Sequence, residues 1–290
     1  MKRRSAILLV IPLLVAVGSG LALAQFRRGF GGRMPGQMPA DRAGVPNWKN
    51  DERFKNDVFT FVRVEYDSGG GFGGRGGRRR GGWGGGWATD WPDSDLNFSY
   101  RLQQLTSLKV NPDPIILRLT APELFDYPFL YMIEPGRLYF SDEDVTALRR
   151  YLLNGGFLMV DDFWGDQWDN FYEQIKRVFP EREPQELPIS HEIFRCVYQL
   201  KEKPQVPSIH SWPGPGSNVT WEEHHDGDTR TVHYKGIFDD KGRMMAIICH
   251  NTDLGDGWER EGENEDYFHE FSEKKSYPMG INIITYAMTH

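Results

Sequence analysis

The sequence predicts an α/β domain built on a largely parallel sheet. Three observations carry that expectation: helical stripes alternate with short, almost wholly apolar runs; Gly155-Gly156 joins one such helix to the run Phe157 to Val160; and that run stops at Asp161-Asp162 just before another helix. Strands covered by helices on both faces read as continuous apolar segments, and helix, strand and helix in succession is the grammar of such a layer.

The elements follow in order. Val58 to Tyr66 reads as a first strand, with Phe59, Phe61, Val62 and Val64 as its apolar positions. Trp91-Pro92 opens a helix capped by Asp93 or Ser94, with Phe98, Leu102 and Leu105 spaced four and three apart. Ile115 to Leu119 and Phe129 to Ile133 are short strands, and Glu134-Pro135-Gly136 is a turn. Ser141 with Asp144 resembles a capping box ahead of the stripe Val145, Leu148 and Leu152. Gly155 supplies the left-handed turn that ends this helix. A further helix runs from about 169 to 179, stopped by Pro180, and prolines crowd the region 181–228. Two late strands, Thr231 to Phe238 and Met244 to Cys249, precede an acidic stretch that reads as a solvated loop; Tyr277 to His290 closes the chain as a buried helix.

Around this core the composition changes sharply. Residues 1–24 read as a signal peptide: Lys2, Arg3 and Arg4, then an apolar run, then Ala22-Leu23-Ala24 before Gln25. An uncleaved membrane anchor is the alternative. Residues 25–55 read as a flexible arm, and 56–290 as a single α/β domain with a glycine-rich insertion at 68–88. Twelve glycines and four arginines lie between Gly69 and Gly86, too little side chain to offset the backbone entropy of ordering. That run has no Lys-Ser/Thr ending and is too repetitive for a phosphate-binding fingerprint.

Charge and cysteine content narrow the function. The formal net charge of -7 falls to -10 once Lys2, Arg3 and Arg4 are removed, which makes a general nucleic-acid binder an unfavoured reading. Nine acidic residues face one arginine between Asp253 and Glu273, without the spacing of a calcium-binding loop. Cys196 and Cys249 are the two cysteines; export permits a disulfide between them, and two separate thiols is the alternative. No motif names a cofactor.

Parallel strands deliver their C-terminal ends to a shared crevice. Asp161 and Asp162 occupy one such end, and His250, Asn251 and Asp253 occupy another if the late strand joins the same sheet. His191, flanked by apolar anchors, joins them as a held imidazole suited to hydrogen bonding, base chemistry or ligation. These six residues form the candidate ligand crevice, with catalytic and metal roles unassigned. Glu222, Glu223, His224 and His225, with His210 and His233, are a looser group lacking the helical spacing of a zinc protease motif. Cys249 beside His250 points to no nucleophile, because neighbours on a strand point apart.

Four stretches in order, Phe125 to Met132, Leu152 to Asp162, Ser190 to Phe194 and Gly280 to Met288, resemble the bacterial domain of unknown function 4159 (DUF4159) family. The resemblance covers about 56 to 289, apart from the glycine-rich insertion. In that family the third stretch more often reads Asp-His-Pro-Ile-Phe; here Ser190 and Glu192 flank the retained His191, a departure that weakens it as an active site. The resemblance implies a three-layer core similar to flavodoxin or to class I glutamine amidotransferases. It does not imply amidotransferase activity, since Gly155 to Asp162 holds no cysteine. The expectation is a non-catalytic binding or assembly component of the bacterial cell envelope, exported to the periplasm or beyond, whose partner is a protein or small molecule. The alternative is a periplasmic hydrolase or metal-assisted enzyme using the same crevice, and tryptophan abundance suggests carbohydrate binding as a weaker third reading.

Overall fold

In a computed structural model the described residues are 36–55, 57–69 and 86–290. The signal-peptide reading, the start of the arm and most of the glycine-rich insertion lie outside them. From Met38 on, the described part of the arm rests on the domain: Ala43 and Val45 pack with Leu96, and Trp48 Nε1 and Asn50 Nδ2 each donate to the Val110 carbonyl at 2.8 Å.

The strands are β1 (Val58–Phe59), β2 (Val62–Glu65), β3 (Asp67–Ser68), β4 (Lys109–Val110), β5 (Ile115–Arg118), β6 (Phe129–Ile133), β7 (Leu138–Tyr139), β8 (Phe157–Asp161), β9 (Gln185–Glu186), β10 (His233–Phe238) and β11 (Met244–His250). Seven of them form the central sheet in the order β5-β2-β6-β8-β11-β10-β9. The five from β5 to β11 pair in parallel, while β10 and β9 are added antiparallel at one edge. The sheet is therefore mixed: β10 and β11 are joined by the tight Asp239–Gly242 turn, which forces an antiparallel pair.

Helices cover both faces. They are α1 (Asp93–Leu105), α2 (Asp142–Leu153), α3 (Gln167–Val178), α4 (Leu254–Glu259), α5 (Glu265–Tyr267), a π-helical stretch Phe268–Ser276, and α6 (Tyr277–Thr289). Alternation along each strand divides the core. Leu158, Val160 and Ile248 face α2 and α3, packing with Leu148, Leu152, Phe171 and Ile175. Phe157, Met159 and Cys249 face the other way, with Phe98, Trp258, Ile281 and Ile284 of α1, α4 and α6. None of the described helices is long and apolar enough to cross a membrane.

Two local expectations are met in atomic detail. Ser141 Oγ accepts from Asp144 N at 3.1 Å while the Asp144 carboxylate accepts from Ser141 N at 3.0 Å, and Gly155 takes φ 106°. Two others need correction. Leu105 is half exposed, so the stripe of α1 ends at Leu102. The acidic stretch after β11 is helical instead of looped, because Leu254, Trp258, Tyr267 and Phe271 bury an apolar side against the core and Asp253 and Asn264 cap its turns.

Candidate functional site

The parallel register brings three chain exits to one edge. Ile248 of β11 is the partner of Val160 in β8, and Ile133 of β6 is the partner of Asp161. Glu134, Asp162 and the Asn251–Asp253 segment thus leave the sheet side by side. Each exit turns sharply: Glu134, Asp162 and Asn251 adopt φ of 47°, 52° and 62°, and Asp90, just before α1, adopts 61°. Side chains rarely occupy that region, Asp and Asn tolerating it best, so the surrounding bonds must hold it. They do: Asp162 N donates to Thr252 O at 3.2 Å, Glu134 N to Asp161 O at 3.2 Å and Asn251 N to Phe163 O at 2.9 Å.

Asp90 reaches this edge because of Arg63, a fully buried cation in β2. Its Nε donates to Asp95 at 3.1 Å, its Nη2 to Ser94 Oγ at 3.0 Å, and its Nη1 to the carbonyls of Trp87 and Thr89 at 2.9 and 2.7 Å. A buried guanidinium must have its donors satisfied, and meeting that need folds the 87–90 loop over the strand ends.

The result is a compact group of carboxylates, Asp162 and Asp253 buried and Asp90 half-buried. Oxygens of Asp90, Asp162 and Asp253 all lie within 4.8 Å of one another. Asp90, Asp256 and Glu259 form an overlapping group, but there Arg260 Nε sits 3.0 Å from Asp256 and 2.7 Å from Glu259, already supplying positive charge. Among the described residues no arginine or lysine forms an ion pair with the first group, although Arg63 and Arg260 act on Asp90 from farther off, and Asp90 Oδ2 is buried without a hydrogen-bond partner.

Electrostatics follow from that crowding. Burial, with the Asp256 charge, lifts Asp90 to about 8. Burial raises Asp162 well above the usual carboxylate range, helped by Glu134, Asp90, Glu222 and Asp161. Burial does the same to Asp253, with Asp162 and Asp256 adding to it. Asp161, at the end of β8, is pushed by burial to about 7 although Tyr131 OH and Gly255 N donate to its Oδ2 at 3.1 and 3.0 Å; its Oδ1 has no partner. Like charges in a dry site cannot all ionise unless a cation joins them.

Of the six residues expected in the crevice, Asp161, Asp162 and Asp253 come together. Asn251 stands among them but its side chain is consumed: Oδ1 accepts from Gly165 N at 2.8 Å, and Nδ2 donates to the carbonyls of Asp228 and Thr231 at 2.8 and 2.7 Å. His250 points to the α3 face, against Phe163 and Trp168; its Nε2 donates to Gly165 O at 3.1 Å, and burial lowers it to about 4. His191 lies at the opposite edge, near Phe238, whose partner Met244 begins β11; its Nδ1 accepts from Ile193 N and caps a short turn. Cys196 and Cys249 are unpaired, the former donating to Asn282 O at 3.2 Å and the latter buried in the core.

Sequence reasoning missed Asp90, Glu134, Asp256 and Glu259 as members of the edge. A charged Arg63 inside an apolar strand was the available signal, since it demands acceptors from some other segment. Asp253 and Asp256, spaced three apart ahead of Trp258, carry the cap signature; Asp256 N donates to Asp253 Oδ1 at 2.7 Å.

No curated protein matches the chain. The family model described as domain of unknown function (DUF4159) matches residues 60–288, which takes in all seven strands of the central sheet and every carboxylate of this edge, so the chain belongs to that family.

Proposed function

We propose that the protein is an exported, non-catalytic binding module of the bacterial cell envelope whose carboxylate edge takes up a hard divalent cation. The observation that carries the cation is the convergence of Asp90, Asp162 and Asp253 in a place where, among the described residues, no arginine or lysine forms an ion pair with them; Arg63 and Arg260 act on Asp90 only from beyond contact. An all-oxygen donor set suits Ca²⁺, Mg²⁺ or Mn²⁺ rather than a thiophilic ion. The basic and apolar start, Lys2 to Ala24, supports export. A bound cation would fix the loop carrying Asp90 to the strand ends and set the surface offered to a partner.

Asp162→Asn separates this reading from a merely strained acidic cluster. Asparagine keeps the shape and tolerates the left-handed backbone, while removing one negative charge. The expected result has two parts: the metal-free variant melts above the metal-free parent, and the shift that Ca²⁺, Mg²⁺ or Mn²⁺ gives the parent is lost. At a hundredfold excess over Kd the parent should gain about 2.7 kcal/mol, roughly 5–10 °C. Differential scanning calorimetry reads both. A parent indifferent to all three ions removes the proposal.

The second reading, metal-assisted hydrolysis, draws on Asp161, whose carboxyl near 7 is suited to proton transfer at neutral pH. It requires the bound ion to be reachable by substrate.

A further inference from the structure

We infer that Glu222, His224 and His225 form a second metal site of different chemistry, one that takes a borderline transition ion of the Zn²⁺ class through one carboxylate oxygen and two imidazole nitrogens. The three ligand atoms lie within 4.8 Å of one another. Glu222 Oε2 is 3.1 Å from His224 Nε2 and 3.4 Å from His225 Nε2. Two ligands held about 2.0–2.1 Å from a tetrahedral ion stand roughly 3.3–3.4 Å apart, so these separations match an ion's coordination polyhedron.

The carboxylate is held for the purpose. Its side chain is only 6% exposed, and its other oxygen, Oε1, accepts from Ser208 N at 2.9 Å. Oε2 is left facing the imidazoles. Two nitrogens and one oxygen select Zn²⁺, Ni²⁺ or Cu²⁺ over the hard ions that suit the carboxylate edge. Three protein ligands leave a fourth position open. That position has somewhere to face, because His224 also lines a cleft of about 320 Å³ with His210, Ser211, Trp221 and Glu223. The occupant is therefore an ion that can still take water or a small anionic ligand. The sequence spacing concealed this, since Glu-x-His-His has no helical repeat; the turn after Trp221 brings the three together instead.

The inference does not depend on the proposed cation at Asp90, Asp162 and Asp253, and the experiment keeps the two apart. The full chain, stripped with a chelator, is titrated with Zn²⁺ by calorimetry and with Co²⁺ by visible absorption. One equivalent of Zn²⁺ should bind in the micromolar range or tighter, and Co²⁺ should give the d–d bands of a four-coordinate site. His224→Ala with His225→Ala should weaken Zn²⁺ at least a hundredfold and abolish the bands; Glu222→Gln should weaken it to a smaller degree. Circular dichroism checks the fold of each variant, and the exposed His224→Ala single change serves if the double variant is unstable. Asp162→Asn should leave Zn²⁺ affinity within a few-fold of the parent. Zn²⁺ binding that is absent, or that survives loss of both histidines, overturns the site and identifies the contacts as hydrogen bonds from imidazole to carboxylate. Zn²⁺ loss in Asp162→Asn also overturns it, by moving the ion to the carboxylate edge.

Discussion

Arg63 is the residue on which the edge depends. Its guanidinium is wholly buried, paired with an equally buried Asp95 and stacked beside the Tyr131 ring at 5.2 Å, and it donates to two carbonyls of the loop that ends in Asp90. Removing one member of such a pair strands the other charge in a dry site, which costs about 3–5 kcal/mol. Arg63→Ala should therefore lower stability by that amount in urea denaturation. Arg63→Met combined with Asp95→Leu should recover much of the loss, because an apolar pair of similar volume carries no desolvation cost. The same double variant should still weaken cation uptake, since the two hydrogen bonds that tie the Trp87 and Thr89 carbonyls to β2 would be gone, leaving the packing of Trp87 to hold the loop. Full retention of cation affinity in the double variant would show that the loop is positioned by other contacts. This residue also marks how far the sequence could be read. Arg63 is visible as an oddity inside an apolar strand, but its partners come from 24 to 32 positions away, and local spacing cannot name them.

At the level of elements, legibility tracked how locally each one is determined. The unit from Ser141 to Asp162 could be read almost residue by residue because its signals are short-range: a cap, a stripe, a glycine with positive φ, an apolar strand. The Ser141 cap is worth a direct measurement. Ser141→Ala removes an acceptor for Asp144 N, so about 1 kcal/mol of stability should be lost, with no effect on cation binding at the far end of β8. A loss below about 0.3 kcal/mol in chemical denaturation would mean that water or Asp144 alone satisfies the helix start. The acidic stretch after β11 failed to be read for the opposite reason. Its charge density suggested solvent, whereas Trp258 and Tyr267 are buried and Gly255 and Gly257 let the turn lie against other segments: a Cβ at Gly255 would stand 2.7 Å from the Tyr131 hydroxyl and 3.0 Å from Asp90 Oδ2. Only the packed structure reveals that the glycine makes room for the carboxylates. The candidate crevice shared this fate. Its aspartates follow strand ends and were found; its histidines were assigned by residue type, and strand alternation sends His250 to the other face while His191 sits at the other edge.

For the whole molecule, the buried acids make stability a function of pH and of metal together. Asp161 and Asp90 titrate near 7 and 8 in the fold, above the ordinary aspartate value of 3.8. Between those limits the folded chain holds protons that the unfolded chain has released, so metal-free stability falls as pH rises through 7 and 8. His250 acts in the opposite sense: lowered to about 4 from 6.5, it makes the unfolded chain the better proton binder across that interval, so its contribution weakens the fold as pH drops from 6.5 toward 4. The two trends oppose each other below 6.5 and only the acids remain above it. Metal-free protein should thus melt at progressively lower temperature from pH 6.5 to pH 8.5. A hard cation competes with the same protons, so its affinity should climb over that range and its presence at millimolar concentration should flatten or reverse the decline. In Asp162→Asn the metal-free slope should be shallower and insensitive to the ion. Parallel declines with and without Ca²⁺, Mg²⁺ and Mn²⁺ would show that the carboxylates share protons alone, and the edge would then be a strained structural feature rather than a binding site.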